Sequence, residues 1–221
     1  MMRGIWPVTA CRFILLVLVT VLLPACESAY YGAMEKVGVH KRDILAERIE
    51  TARDAQVDAK DQFRSALEQF LATVSVDGGE LQKKYETLNS AFEDSRESAE
   101  TVRQRIEAVE SVAEALFDEW QDELALYSDG SLKRDSERKM RQTRSRYRQM
   151  LTAMHSAEEK MAPVLETFQD QVLYLKHNLN ARAIAAIKTE FGSLQNEVRV
   201  LITRMESSIK EAEAFIDTLS E

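Results

Sequence analysis

Residues 81–120 read LQKKYETLNSAFEDSRESAETVRQRIEAVESVAEALFDEW. Within them Leu81, Tyr85, Leu88, Phe92, Ser95, Ala99, Val102, Ile106, Val109, Ala113, Leu116 and Trp120 recur at alternating steps of four and three, with Ser95 the single polar member. Such steps keep side chains on one stripe of an α-helix. A stripe this regular is a coiled-coil seam, and it has to be buried against other helices.

Three further stretches carry the same period. Leu45, Ile49, Ala52, Gln56, Ala59, Phe63, Ala66 and Phe70 mark one helix, with Leu67, Leu71 and Val74 broadening its apolar face. Met140, Thr143, Tyr147, Met150, Met154, Ala157, Met161, Val164 and Phe168, continuing through Val172 and Leu175, mark another. Pro163 lies inside that run and predicts a kink, because proline removes one backbone bond and crowds the preceding turn. Ile184, Ile187, Phe191, Leu194, Val198, Leu201, Met205, Ser208, Ala212, Phe215 and Leu219 mark the last. Gly192 within it is a mild weakness, about 1 kcal/mol relative to alanine.

The breaks are Asp77-Gly78-Gly79, Ser128-Asp129-Gly130-Ser131 and Asn178-Leu179-Asn180. Glycines permit tight-turn dihedrals, and Asn180 is suited to cap the following helix. The expected fold is all-α: a long antiparallel four-helix, coiled-coil-like, up-down-up-down bundle over residues 41–221. Its helices are expected at about 41–76, 80–127, 132–177 and 181–219. A 48-residue helix is roughly 72 Å long, so the body is a rod. A spectrin-like three-helix arrangement is the alternative, should the third and fourth helices run straight on through Asn178.

Composition agrees with helices. Seven glycines and three prolines in 221 residues leave few breaks, and 45% apolar content supplies one real core. The formal charge of −8 makes nucleic acid an unsuitable partner for the chain as a whole.

Residues 1–26 carry a different signal. Arg3 and Arg12 precede the apolar run Phe13–Leu23, 11 residues long. A spanning helix needs about 20, so this is the length of a signal-peptide core. Leu23-Pro24-Ala25-Cys26 follows and resembles the bacterial lipobox. In such signals the peptide is cut before the cysteine and its thiol is diacylated. Residues 1–25 are therefore expected to be a lipoprotein signal peptide, with Cys26 the lipidated first residue of the mature chain. Loss of Arg3 and Arg12 takes the charge from −8 to −10. Residues 26–40 are then a short membrane-proximal segment with no Ser/Gly/Pro-rich linker, in which Tyr30 and Tyr31 suit either the headgroup zone or the base of the bundle. Glu27 follows the cysteine in place of an inner-membrane-type aspartate. That favours the outer over the inner membrane, facing the periplasm.

Tyr30-Tyr31 followed by Glu35-Lys36-Val37-Gly38-Val39-His40-Lys41-Arg42-Asp43-Ile44-Leu45 resembles the opening of a bacterial lipoprotein family labelled domain of unknown function 2959. Asp77-Gly78-Gly79, Phe117-Asp118-Glu119-Trp120 and Leu175-Lys176-His177-Asn178-Leu179-Asn180-Ala181 are similar to it as well. The resemblance covers essentially the whole mature chain. It implies a location and a fold, and no catalytic residues.

No catalytic constellation stands out. A bundle di-iron site needs Glu-x-x-His pairs, whereas His40, His155 and His177 are preceded at that spacing by Val37, Thr152 and Tyr174. His155 with Glu158 or Glu159 reads as a surface pair. There is no Gly-x-Ser-x-Gly, and the mature chain has no cysteine free to react. A non-enzyme without cofactors is expected.

Residues 133–148 hold eight basic side chains against Asp135 and Glu137, and the preceding helix ends with Glu114, Asp118, Glu119, Asp122 and Glu123. Antiparallel packing sets these runs side by side, where they can pair. The same topology returns Lys41, Arg42, Arg138, Arg141, Arg144 and Arg148 to the anchored end, where anionic lipid headgroups are a natural partner. The expected role is an envelope scaffold or adaptor, with the membrane through Cys26 and an envelope protein as partners. The competing reading is a ligand-binding or sensory bundle with an apolar pocket among Met140, Met150, Met154 and Met161.

Overall fold

The structure is a computed structural model that describes residues 38, 40–75, 81–178 and 181–220. Cys26, Tyr30, Tyr31, the 77–79 turn and the Asn180 cap lie outside the described residues, as do the side chains of Val74 and Ile184. Five helices follow one another: α1 Lys41–Ser75, α2 Leu81–Glu123, α3 Gly130–Glu158, α4 Met161–His177 and α5 Ala181–Ser220. No strand occurs among the described residues. At 43 residues α2 is about 65 Å long.

The helices enclose a single core. α1 packs against α2 and α5, while α3 and α4 each pack against α2 and α5. Side chains set the register. Lys41 at the start of α1 meets Glu119 near the end of α2 at 2.9 Å. The Trp120 indole donates to Ser136 of α3 at 2.9 Å. Thr167 of α4 donates to Glu197 of α5 at 2.9 Å. That last bond excludes the straight-through alternative, since 30 residues of unbroken helix span about 45 Å.

The eight seam residues of α1 are all buried, from Leu45 to Phe70. Ile106, at the middle of the α2 seam, is fully buried. Two aromatic groups close the core towards its ends. Phe70 stacks on Phe191 and meets Phe168 edge-on, with centroids 6.0 and 6.2 Å apart. Tyr147 bridges Phe117 and Phe215 at 5.6 and 6.2 Å.

Four expectations need correction. The third helix, expected over about 132–177 with a kink at Pro163, is two helices, α3 and α4. The interruption is at Glu159–Lys160, one turn before Pro163. Proline has no N–H to give the Glu159 carbonyl, and its ring crowds that group. Both residues keep right-handed helical dihedrals, so the chain bends without reversing. Second, α2 stops at Glu123, not Tyr127, and α3 starts at Gly130, not Leu132. Asp129 caps α3 by accepting from the Ser131 and Leu132 amides at 2.7 and 3.1 Å. Third, Leu71 is exposed and does not widen the core face of α1. Fourth, the end of the α2 seam rotates: Leu116 and Trp120 are half-buried, while Val112, Phe117 and Leu124 are buried. A helix of 3.6 residues per turn drifts about 20° per heptad from a 3.5-residue repeat, which moves burial to later positions.

Candidate functional site

Among the described residues, Lys41 and Arg42 lie at the end of the bundle where α1 begins and α2 turns into α3, and the basic run of α3 extends from that end up the helix. Lys41 opens α1, with the His40 carbonyl accepting the first helical bonds from Asp43 and Ile44. Its side chain is 10% exposed and turned to Glu119, so its charge is spent inside the bundle. Arg42 beside it is exposed.

The basic run on α3 divides by height. Arg138 and Lys139 bridge to Asp135, and Arg141 reaches Glu137 at 3.9 Å. These bridges are within α3, on exposed side chains, and each is worth about 0–1 kcal/mol. Arg144 does something different: its guanidinium lies 4.8 Å from the centre of the Phe117 ring, on α2. Arg144, Tyr147 and Arg148 share a cleft of about 230 Å³ with Glu110, Glu114 and Asp118. The expected juxtaposition of an acidic α2 and a basic α3 is therefore present, seen as opposite walls of one cleft. Burial, and then the charges of Glu110 and Glu114, push the Tyr147 phenol upward, so it stays neutral.

His155, further along α3, contacts Glu110 of the same cleft. Its Nε2 is 3.1 Å from Glu110 of α2 and its Nδ1 is 3.1 Å from Glu158 of its own helix. Carboxylates only accept, so satisfying both contacts requires a proton on each ring nitrogen, which is the imidazolium. Burial pulls the ring's pKa down, but the two carboxylates outweigh it and leave the pKa raised. Sequence spacing pairs His155 with Glu158. Glu110 is reachable only through the register of α2 against α3.

A second cleft, of about 470 Å³, runs between α1 and α2. Hydroxyls of Thr51, Ser98 and Thr101 line it, with the carboxylates of Asp58, Asp94 and Glu97. Neither cleft is lined by a methionine. Met140, Met150, Met154 and Met161 are all buried core residues, packed as filler. Deep in the core, both amide atoms of Gln56 and the Ser208 hydroxyl find no hydrogen-bond partner among the described residues. Ser95, also fully buried, donates back to the Ala91 carbonyl at 2.7 Å.

Among the described residues no group of three or more His, Cys, Asp or Glu side chains is arranged to hold a metal ion. No described helix is long and apolar enough to cross a membrane.

These features define an elongated all-α bundle in which most ion pairs run along single helices, while Lys41–Glu119 and His155–Glu110 link neighbouring ones. The profile of the family described as "Protein of unknown function (DUF2959)" matches residues 30–219, and the chain belongs to that family. Comparison with curated proteins and with solved structures gave no match.

Proposed function

We propose that this chain is a lipid-anchored bundle of the bacterial cell envelope, held by acylated Cys26 with its body in the periplasm, where it acts as a scaffold or adaptor and not as an enzyme. The observation that carries this reading is the junction of signal and fold. A short apolar core ending in Leu23-Pro24-Ala25-Cys26 is followed, 14 residues on, by a helix that starts at one end of a rod. A rod tethered at its end projects its other end away from the surface, which suits bridging between layers. The filled methionine core favours this role over the ligand-pocket alternative.

Anionic headgroups remain the proposed partners of Arg42, Arg138, Arg141 and Arg148, which are exposed. Lys41 is withdrawn from that set by Glu119, and Arg144 is half-covered over Phe117. Outer-membrane placement rests on Glu27 after the cysteine.

In-cell crosslinking followed by mass spectrometry tests the adaptor role. A reproducible envelope-protein crosslink at a defined face of the rod supports it. A chain that crosslinks only to small molecules or to nothing, while correctly located, contradicts it.

A further inference from the structure

The turn joining α2 to α3 exposes apolar side chains with no visible structural purpose. Leu126 is 82% exposed and Leu132 58%, with Tyr127 between them also exposed. The backbone around them is well made. Ala125 and Leu126 donate to the Asp122 and Glu123 carbonyls at 3.1 and 3.0 Å, and Asp129 caps α3. The three exposed apolar groups flank this hydrogen-bonded turn and its cap. Single exposed leucines are ordinary, but three large apolar side chains within seven residues at the tip of a rod form a patch.

We propose that this tip is a second membrane contact, in which Leu126, Tyr127 and Leu132 insert shallowly into the lipid interface beside the acyl anchor. The inference rests on the anchored reading above. Its geometry comes from Lys41, whose contact with Glu119 sets the start of α1 within two turns of Leu126. Residues 27–40 span at most about 50 Å when extended, so the acylated end and the tip reach the same surface. The chemistry also fits a bilayer. Leucines supply apolar area, a tyrosine places a ring and a hydroxyl at the headgroup level, and Lys133 and Arg134 follow for anionic headgroups. Arg134 lies across the tip, its guanidinium 3.4 Å from where a side chain on Gly130 would begin. The Asp129 carboxylate is turned to its own cap. Asp122 and Glu123 precede Leu126 by about one turn, and their charge limits insertion to a shallow depth.

The test uses the acylated protein purified from membranes and reconstituted in phosphatidylethanolamine–phosphatidylglycerol vesicles. An environment-sensitive thiol dye is placed at Leu126→Cys or, at the other end of the rod, at Leu173→Cys, which is also an exposed leucine. Blue-shifted emission at position 126, quenched by lipids spin-labelled near the headgroup, with neither effect at 173, supports the proposal. No shift at either position overturns it. Equal quenching at both overturns it too, because the rod then lies flat. A blue shift at 126 without lipid quenching also overturns it, because a second copy or another protein then covers the tip. The parent chain is labelled in parallel. Dye uptake there reports a free Cys26 or a retained Cys11, either of which contradicts the anchor, so failure of the anchor reading shows independently of the tip. In that event the same dye pair on a Cys11→Ser/Cys26→Ser chain added to vesicles from solution decides the tip alone.

Discussion

Lys41 Nζ, on the first residue of α1, lies 2.9 Å from Glu119 Oε1, near the end of α2. The ammonium is largely withdrawn from water, at 10% exposure, while the carboxylate stays 32% exposed. One contact thus fixes which end of α2 the chain enters beside, and it places the start of α1 near the α2–α3 turn. Partly buried charges are costly to strand, so this pair is a stronger constraint than the bridges along the outside of α3.

Neutralising Glu119 tests that weight. Glu119→Gln is expected to lower stability by about 1–3 kcal/mol, since it leaves a poorly solvated ammonium with a weaker partner. Glu107→Gln, at an exposed carboxylate 3.9 Å from Arg103, should change it by less than about 0.5 kcal/mol. Urea denaturation of the two variants measures both. Equal midpoints would show that Lys41 is solvated and that the end is held by apolar contacts alone.

Ile106 tests the seam. It is fully buried where α2 is flanked by its partners, and Ile106→Ala should cost roughly 2–5 kcal/mol through lost burial and a residual cavity. Gln104 is exposed and donates to Glu100 of its own helix at 3.0 Å, so Gln104→Ala should be nearly neutral. Matching melting temperatures would contradict the register.

Gln56 makes the opposite prediction. Its side chain is fully buried with both polar atoms unpartnered among the described residues. A buried amide without partners costs about 1–3 kcal/mol, and methionine fills nearly the same volume without that cost. Gln56→Met is expected to raise the melting temperature. A clear drop would show that the amide is satisfied by hydrogen bonds in solution.

The helices were legible in the sequence because burial in a bundle repeats at heptad spacing. Every α1 seam position from Leu45 to Phe70 is buried, the polar Gln56 included. The exchange of Leu116 and Trp120 for Phe117 and Leu124 was not legible, because it depends on how far a long helix drifts against its neighbours. The break at Glu159 instead of Pro163 follows from a local rule: proline acts on the carbonyl four residues before it. Lys41 and Arg42 look alike in a charge count. Only packing against Glu119 turns one inward and leaves the other in water. The His155–Glu110 link joins residues 45 apart, and no spacing within one helix reveals it.

That link predicts a pH dependence. The folded-state pKa of His155 is raised above the unfolded value of about 6.5. Its contribution is therefore fully present below about pH 6.5 and is lost as pH rises through the folded value, where the ring can no longer donate from both nitrogens. Glu110 and Glu158 face the ring, and Arg103 lies near enough to Glu158 to temper the effect. With the side chain 40% exposed, the contribution is about 1 kcal/mol or less. The stability difference between the parent and His155→Gln should shrink as pH climbs. A difference that grows with pH would contradict an imidazolium at this site.

The most direct measurement is the mass of the N-terminal peptide of the protein purified from membranes, for the parent and for Cys26→Ser. The proposed anchor predicts that the parent peptide begins at Cys26, lacks residues 1–25, and carries diacylglycerol on its sulfur. Incorporation of a palmitate analogue should vanish in Cys26→Ser. A parent peptide that retains residues 1–25, or acyl label that persists without the Cys26 thiol, would contradict a lipid-anchored rod.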